Sequence, residues 1–302
     1  MTEPVIETKG LSVYYGKHRG IVDVNLTVEK GEVFGFLGPN GAGKTTTQRV
    51  LLDVIRPTQG KATIFGLDCQ EHGVTQRERI GYLPGELALY SNMKCSRFFE
   101  MIEYLRVENG KAGYWRELAD RLDLDTTRKI REFSRGNKQK VGVVSAFMNQ
   151  PELLILDEPT GGLDPLVQQT VLEMVREARA DGRTVFFSSH ILSEVQAVCD
   201  RVGIIREGRL IVTERVEDMV TQRMNRISLT FAEMPPAGAF DMEGVSEVER
   251  ADQHITLAVQ ENLPQVLTTA GKFSVLDIKT HNVSLEEIFL AYYGKDNGGV
   301  HV

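Results

Sequence analysis

The chain has 302 residues, of which 41% are hydrophobic and 25% are charged, and its formal net charge at pH 7 is −7. This length and composition predict a globular protein with one large domain and a smaller one, and they exclude collagen-like, disordered and disulfide-built classes. The acidic balance, without a run of five or more like charges, argues against a nucleic-acid groove, so no nucleic-acid partner is expected.

The N-terminal part of the chain predicts a β-layer followed by a strand, a glycine loop and a helix. Residues 5–15 and 21–29 alternate apolar and polar side chains, which is typical of antiparallel strands with one solvent-exposed face. Residues 33–37 form a short apolar run that ends in a glycine-rich loop. A helical pattern then covers residues 45–55 and stops at Pro57.

Strands and helices alternate in the middle of the chain. Residues 153–156 and 184–188 predict buried strands with helical patterns between and after them. This alternation indicates an α/β fold with a mostly parallel sheet that helices cover on both faces. Residues 87–148 predict a helical insertion into that fold. The clearest helical patterns cover residues 115–122, 136–148, 167–180 and 191–198.

A change of pattern near Glu214 divides the chain into a first domain, residues 1–214, and an accessory domain, residues 215–302. The first domain would close with a hairpin of strands at 202–205 and 209–212, with Gly208 in the turn. The second predicts a small α+β fold whose last helix starts with a capping box at Ser284 and runs through Tyr292. Its predicted strands cover residues 227–231, 245–248, 254–259 and 273–278.

Cysteine usage and hydropathy indicate the compartment. Cys69, Cys95 and Cys199 are far apart and form no CxxC pair, which is typical of a reducing compartment, and each is expected to be a small buried hydrophobic residue. The N-terminus lacks the apolar core of a signal peptide. The densest apolar runs, 141–148 and 153–156, are shorter than the roughly 18–20 residues that a membrane span needs. The chain is therefore expected in the cytoplasm.

Residues 38–45, GPNGAGKT, match the phosphate-loop pattern GxxxxGK[ST], with a predicted strand before and a helix after. Glycines and free helix N–H groups let the backbone wrap a nucleotide's phosphates, while Lys44 would reach the β- and γ-phosphates and Thr45 would hold Mg²⁺. A plain structural turn has no use for a lysine at that position. The predicted phosphate contacts are Gly38, Pro39, Asn40, Gly41, Ala42, Gly43, Lys44, Thr45 and Thr46.

Two adjacent carboxylates, Asp157 and Glu158, follow the apolar run at 153–156. A buried strand that ends in paired acids needs a compensating charge, which Mg²⁺ at the phosphate loop would provide. Asp157 would then orient the metal, and Glu158 would be the base for the attacking water. The alternative is that the acids only cap the turn at Pro159, and the neighbouring phosphate loop favours the catalytic role.

Further segments of the chain resemble the ABC transporter ATPase family. In the order and approximate spacing of that family, they are Tyr15, IGYLP (80–84), FSRGN (133–137), GLDP (162–165) and His190. The resemblance covers roughly residues 5–213. It implies a P-loop NTPase fold, ATP and Mg²⁺ as ligands, and ATP hydrolysis coupled to transport.

By this resemblance, Tyr15 would stack on adenine, with Tyr14 as the alternative. Ser134 and Gly136 would open a helix that faces the γ-phosphate of an ATP on an opposing subunit, although Ser134 could equally be only a helix cap.

Two more roles follow from the resemblance. His190 would contact the γ-phosphate and hold the attacking water beside Glu158. Asp164 would lie at the seam between two subunits. Two copies would then close head to tail on two ATP molecules, and a homodimer is expected.

Where the family usually has a glutamine that touches Mg²⁺, this chain has Gly85 followed by Glu86. The segments LPGE (83–86) and SRGN (134–137) and the tail SLEEIFL (284–290) are similar to those of drug-efflux exporters. The resemblance implies a separate membrane permease as partner and a location on the inner face of the membrane. The alternatives are an ABC-type ATPase that acts on ribosomes or DNA, and a catalytically weak nucleotide-binding regulator.

Overall fold

The computed structural model describes residues 4–105, 111–221, 225–259 and 262–281. The chain divides into two compact units, residues 1–214 and residues 215–302. Each unit has a hydrophobic core of its own. The helix predicted at 284–292 lies outside the described residues.

An antiparallel layer forms the start of the first unit, as the alternating pattern predicts. Its strands are β1 (Ile6–Tyr15), β2 (His18–Val28), β4 (Gln59–Ile64) and β5 (Leu67–Asp68). Strand β1 pairs with β2 and β4 in antiparallel register, and β5 pairs with β4. The side chains that β1 and β2 turn to one face, such as Leu11 and Ile21, are fully buried.

The central sheet of this unit has six strands. They are β3 (Val33–Leu37), β6 (Ile80–Leu83), β7 (Leu153–Asp157), β8 (Thr184–Ser189), β9 (Arg201–Arg206) and β10 (Arg209–Arg215). Their order across the sheet is β10-β9-β3-β8-β7-β6, and the five strands from β9 to β6 pair with one another in parallel, which confirms the predicted mostly parallel sheet. All residues of β3, β7 and β8 are buried, which explains their continuous apolar runs.

The helices of the first unit are α1 (Lys44–Leu51), α2 (Gly73–Glu78), α3 (Cys95–Leu105), α4 (Tyr114–Arg121), α5 (Arg135–Phe147), α6 (Pro165–Ala180) and α7 (Leu192–Val198). Helices α3, α4 and α5 form the predicted insertion, in which the rings of Phe99 and Trp115 pack with centroids 5.3 Å apart. The prediction that the first helix reaches residue 55 was wrong. It ends at Leu51, because Asp53 takes a left-handed φ of 53°.

The second unit is a small α+β fold, as predicted. Its elements are α8 (Val216–Thr221), β11 (Asn225–Phe231), β12 (Val245–Ala251), β13 (His254–Val259), α9 (Leu263–Ala270) and β14 (Val275–His281). The sheet has the order β12-β13-β11-β14, and every described pair is antiparallel. Leu229, Phe231 and Leu257 form the centre of the core with Val266 of α9.

No helix within the described ranges is long and apolar enough to cross a membrane.

Candidate functional site

The loop between β3 and α1, residues 38–43, approaches its neighbours so closely that side chains are excluded at two glycines. A Cβ at Gly38 would lie 2.5 Å from the carbonyl oxygen of Ile205. Gly43 has a φ of 114°, which only glycine adopts without strain. Helix α1 begins directly after it, so the unpaired N–H groups of the loop and the first helical turn can face an anion.

Lys44, the first residue of α1, places an ammonium group inside this loop. The side chain is 5% exposed. Its Nζ donates to the carbonyl oxygens of Gly38 at 2.6 Å and Pro39 at 3.3 Å, and it lies 3.6 Å from Glu158 Oε1. A buried cation held by two carbonyl groups is preorganised for a phosphate, because little side-chain freedom remains to be lost on binding.

Asp157, at the end of β7, is buried and accepts hydrogen bonds from two hydroxyl groups. Thr45 Oγ1 donates to Oδ2 at 2.7 Å, and Ser188 Oγ donates to Oδ1 at 2.5 Å. A carboxylate and a hydroxyl oxygen are hard ligands of the kind that Mg²⁺ takes one or two at a time, with phosphate oxygens and water completing the shell. The donor set therefore suits Mg²⁺ bound together with a nucleotide.

Glu158 has a left-handed φ of 50°, an uncommon conformation for a glutamate. Its N–H donates to the carbonyl oxygen of Ser188 at 3.1 Å, which ties the residue to the end of β8. Its Oε1 lies 3.1 Å from His190 Nδ1. The structure thus brings the carboxylate into contact with His190 and within 3.6 Å of the Lys44 ammonium.

The loop that follows β7 is held from three helices by side chains that the sequence analysis did not single out. Gln139 of α5 donates through Nε2 to the carbonyl oxygens of Glu158 at 3.1 Å and Pro159 at 3.2 Å. Gln168 of α6 donates to the Leu163 carbonyl at 3.1 Å, and Glu194 of α7 accepts from Thr160. Gln139 and Glu194 are buried. Polar residues at core-facing positions of helical patterns were their only sequence signal, and that signal does not identify their partners.

A cavity of about 450 Å³ lies over the phosphate loop. Arg19 and Arg49 line it, and so do Gly85 and Glu86 at the departure from the family pattern. A Cβ at Gly85 would lie 3.0 Å from Asp157 Oδ2, so the backbone packs directly against that carboxylate. The predicted site residues that line the cavity are Tyr15, Pro39, Asn40, Gly41, Gly43, Lys44, Thr45, Thr46, Asp157 and Glu158.

Several predicted site residues do not line this cavity. Gly38 and Ala42 pack behind the loop, and His190 reaches the site through Glu158. Ser134 is the N-cap of α5, where its Oγ accepts the N–H of Asn137 at 3.2 Å. Asp164 caps α6 in the same way. Gly136 packs near the backbone of residue 162.

A phosphate loop at the carboxyl end of a parallel sheet, with a lysine, a threonine and two acids converging on it, defines the class as a P-loop NTPase. Residues 21–161 match the family described as ABC transporter. The bacitracin transport ATP-binding protein of Bacillus licheniformis is 37% identical over 75% of this chain and 74% of its own length. The chain belongs to the ABC transporter ATPase family.

Other relatives extend or limit this match. The linearmycin resistance ATP-binding protein of Bacillus subtilis is 29% identical over 96% of this chain and 99% of its own length. An uncharacterized ABC transporter ATP-binding protein of Nostoc is 37% identical over 73% of this chain, and the match spans 63% of the Nostoc protein. A solved ATP binding subunit of an ABC transporter has a TM-score of 0.66 at 30% identity, over 72% of this chain and 92% of its own.

Proposed function

We propose that this chain binds and hydrolyses MgATP and thereby drives export through a separate membrane permease. The observation that carries the proposal is the convergence of Lys44, Asp157 and Glu158 on the glycine loop, with His190 hydrogen-bonded to Glu158. This is the set of groups that phosphoryl transfer needs, since catalysis there depends on positioning and charge neutralisation.

Binding begins with the phosphates. The backbone between Gly38 and Thr46 would surround them, and Lys44 would exchange its carbonyl partners for β- and γ-phosphate oxygens. Mg²⁺ supplies charge neutralisation at those oxygens when it is bound. Thr45 and Asp157 would hold the ion, and Ser188 keeps the Asp157 carboxylate oriented through its hydrogen bond.

Hydrolysis requires a water aligned with the γ-phosphate. Glu158 would accept its proton, because the carboxylate is the base nearest to the Lys44 ammonium that marks the phosphate end of the site. His190 would hold the same water and the γ-phosphate from the end of β8. Its present contact with Glu158 at 3.1 Å supports this shared task.

The site would be completed by a second copy of the chain. Ser134 is exposed at the N-terminus of α5 and does not line the cavity of its own chain, which supports a role toward a partner's ATP. Gly136 follows two residues later in the chain. Asp164, the N-cap of α6, ends the loop that begins at Glu158. We infer a homodimer that closes on two ATP molecules and opens after hydrolysis.

The relatives' names and family membership support the proposed export role and location. Relatives named for bacitracin transport and linearmycin resistance support a drug-export role. The chain would then act in the cytoplasm, attached to the inner face of the membrane through its permease. An intact set of catalytic groups favours an enzyme over a regulator, even though Gly85 and Glu86 replace the usual glutamine.

The test compares the purified parent with Lys44→Ala and Glu158→Gln. Lys44→Ala is expected to lose MgATP binding, because the buried cation is gone. Glu158→Gln is expected to bind MgATP with parental affinity, to hydrolyse it at roughly 10² to 10⁴ times lower kcat, and to accumulate as a dimer in size-exclusion chromatography. Parental turnover by Glu158→Gln would remove the base assignment.

A further inference from the structure

Glu194 is a buried carboxylate that takes no part in the catalytic steps described above. It lies on α7 and is 6% exposed. Burying a carboxylate is unfavourable unless other groups hydrogen-bond to it, and an apolar residue of similar size has no such requirement. Its presence on the inner face of α7 therefore calls for specific partners.

Those partners are two hydroxyl groups, one in the loop after β7 and the other at the end of β8. Thr160 Oγ1 donates to Glu194 Oε1 at 2.6 Å, and Ser189 Oγ donates to Oε2 at 2.8 Å. Ser189 Oγ also accepts the N–H of Ile191 at 2.9 Å, so its own hydrogen is available for the carboxylate. Each oxygen of Glu194 thus holds one loop.

The two loops carry the groups that must act together on the attacking water. Thr160 lies two residues after Glu158, in the loop after β7. Ser189 is the last residue of β8 and directly precedes His190. The side chains of Glu158 and His190 meet at 3.1 Å.

Glu158 also needs such support because of its backbone. A left-handed φ of 50° is unfavourable for a non-glycine residue and persists only where the surroundings enforce it. Glu194 is one of the groups that hold the loop from the α7 side.

We propose that Glu194 is a positioning residue that connects the loops after β7 and β8 and so keeps the side chains of Glu158 and His190 in contact. The inference rests on the catalytic roles proposed above for Glu158 and His190. In this role the length of the Glu194 side chain matters more than its charge, because the side chain must span the distance between the two hydroxyl groups.

Two substitutions at this position distinguish the effect of side-chain length from the effect of charge. Glu194→Gln keeps the length, and its amide can accept from one hydroxyl and donate to the other. Glu194→Asp keeps the charge and is one methylene shorter. Gln196→Ala, at an exposed position of the same helix, is the control. The measurements on the purified full chain are kcat and KM for ATP, the Kd of MgATP and the midpoint of thermal unfolding.

We expect Glu194→Asp to lower kcat roughly 100-fold, because a displacement of about 1 Å between reacting groups has an effect of that size. KM and the Kd of MgATP should stay parental, since the phosphate loop is untouched. Glu194→Gln should keep kcat within about tenfold of the parent, because a neutral hydrogen bond replaces one to a carboxylate. Gln196→Ala should match the parent throughout.

Three results would overturn the proposal. They are a parental kcat in a folded Glu194→Asp variant, an equal loss of kcat in the Glu194→Asp and Glu194→Gln variants, and a loss of MgATP affinity that parallels the loss of kcat. If Glu194→Asp does not fold, Thr160→Val removes one donor from the opposite end and must reproduce the kcat loss. Glu158→Gln and His190→Ala are assayed alongside: if these two retain parental turnover, the proposed catalytic function fails, and it fails independently of what Glu194 does.

Discussion

Tyr14 and Tyr15 are adjacent residues of β1 that lie in different surroundings. Both rings are nearly half exposed, at 45% and 46%. Only Tyr15 lines the cavity, where its hydroxyl lies 3.5 Å from Thr46 Oγ1, whereas the backbone N–H of Tyr14 bonds to Thr58. Adjacent residues of a strand point to opposite faces, so the two tyrosines cannot serve the same ligand.

Tyr15→Ala is expected to weaken MgATP binding by roughly 5- to 150-fold, because stacking of a base on an aromatic ring contributes about 1–3 kcal/mol. Tyr14→Ala removes an equally exposed ring from the other face and should leave the Kd parental. Equilibrium binding of a fluorescent ATP analogue measures both. Equal weakening by the two variants would contradict the assignment of the adenine contact to Tyr15.

Most catalytic candidates could be named at the residue scale because their motifs are local. Lys44 and Thr45 follow the glycine loop directly, and the adjacent acids Asp157 and Glu158 end a strand. Gln139 and Glu194 could not be assigned in this way. The loop residues that they hold, Glu158, Pro159 and Thr160, are 19 to 34 residues away along the chain, so only the folded structure shows these contacts.

At the scale of elements, a bidentate ion pair joins the starts of two neighbouring strands. Arg79 precedes β6 and donates through two nitrogens to Glu152, which precedes β7, both at 2.7 Å. The guanidinium also lies 3.7 Å from the centre of the Phe65 ring. The hydrogen bonds from Arg79 lower the pKa of Glu152 below its ordinary value of 4.5.

A carboxyl group whose pKa is depressed by folding stabilises the protein above its unfolded pKa, and that contribution is lost as the pH falls through the folded pKa. Glu152→Gln should therefore lower the free energy of unfolding near pH 7, by about 0.2–1 kcal/mol for a pair this exposed. The difference between variant and parent should shrink as the pH falls below about 4, the ordinary range of a glutamate. Urea unfolding at several pH values measures it, and a difference independent of pH would rule this contribution out.

Element boundaries were the weaker part of the sequence predictions. Strands β4 and β6 were not predicted, because β4 begins with three exposed residues and β6 has only four residues. Both are strands because they pair with β1 and β7. Helix α1 is shorter than its helical pattern for a local reason, the left-handed φ of Asp53.

At the scale of the whole molecule, the chain consists of two compact units that meet in sequence between Glu214 and Arg215. Among the described residues, those that line the nucleotide cavity lie between positions 15 and 158. The core of the second unit is built from its own sheet and α9.

We therefore expect a fragment of residues 1–214 to fold and to bind MgATP with the Kd of the full chain. Within the described residues, the side chains of its core cluster and of its cavity lining all come from positions before 215. Circular dichroism and equilibrium binding test this on the purified fragment, with Lys44→Ala in the same fragment as the control. Loss of binding in a folded fragment would show that the second unit contributes to the site.

Four features could be predicted from the sequence, because each depends on a few consecutive residues or on a regular period. They are the nucleotide loop, the strand that ends in two acids, the parallel α/β fold and the resemblance to ABC transporter ATPases. The folded structure was needed to show which tyrosine lines the cavity, that Ser188 holds Asp157, and that Glu194 joins the loops of Glu158 and His190. Those contacts depend on which strand lies beside which, and strand neighbours are set by packing between segments that are distant in the chain.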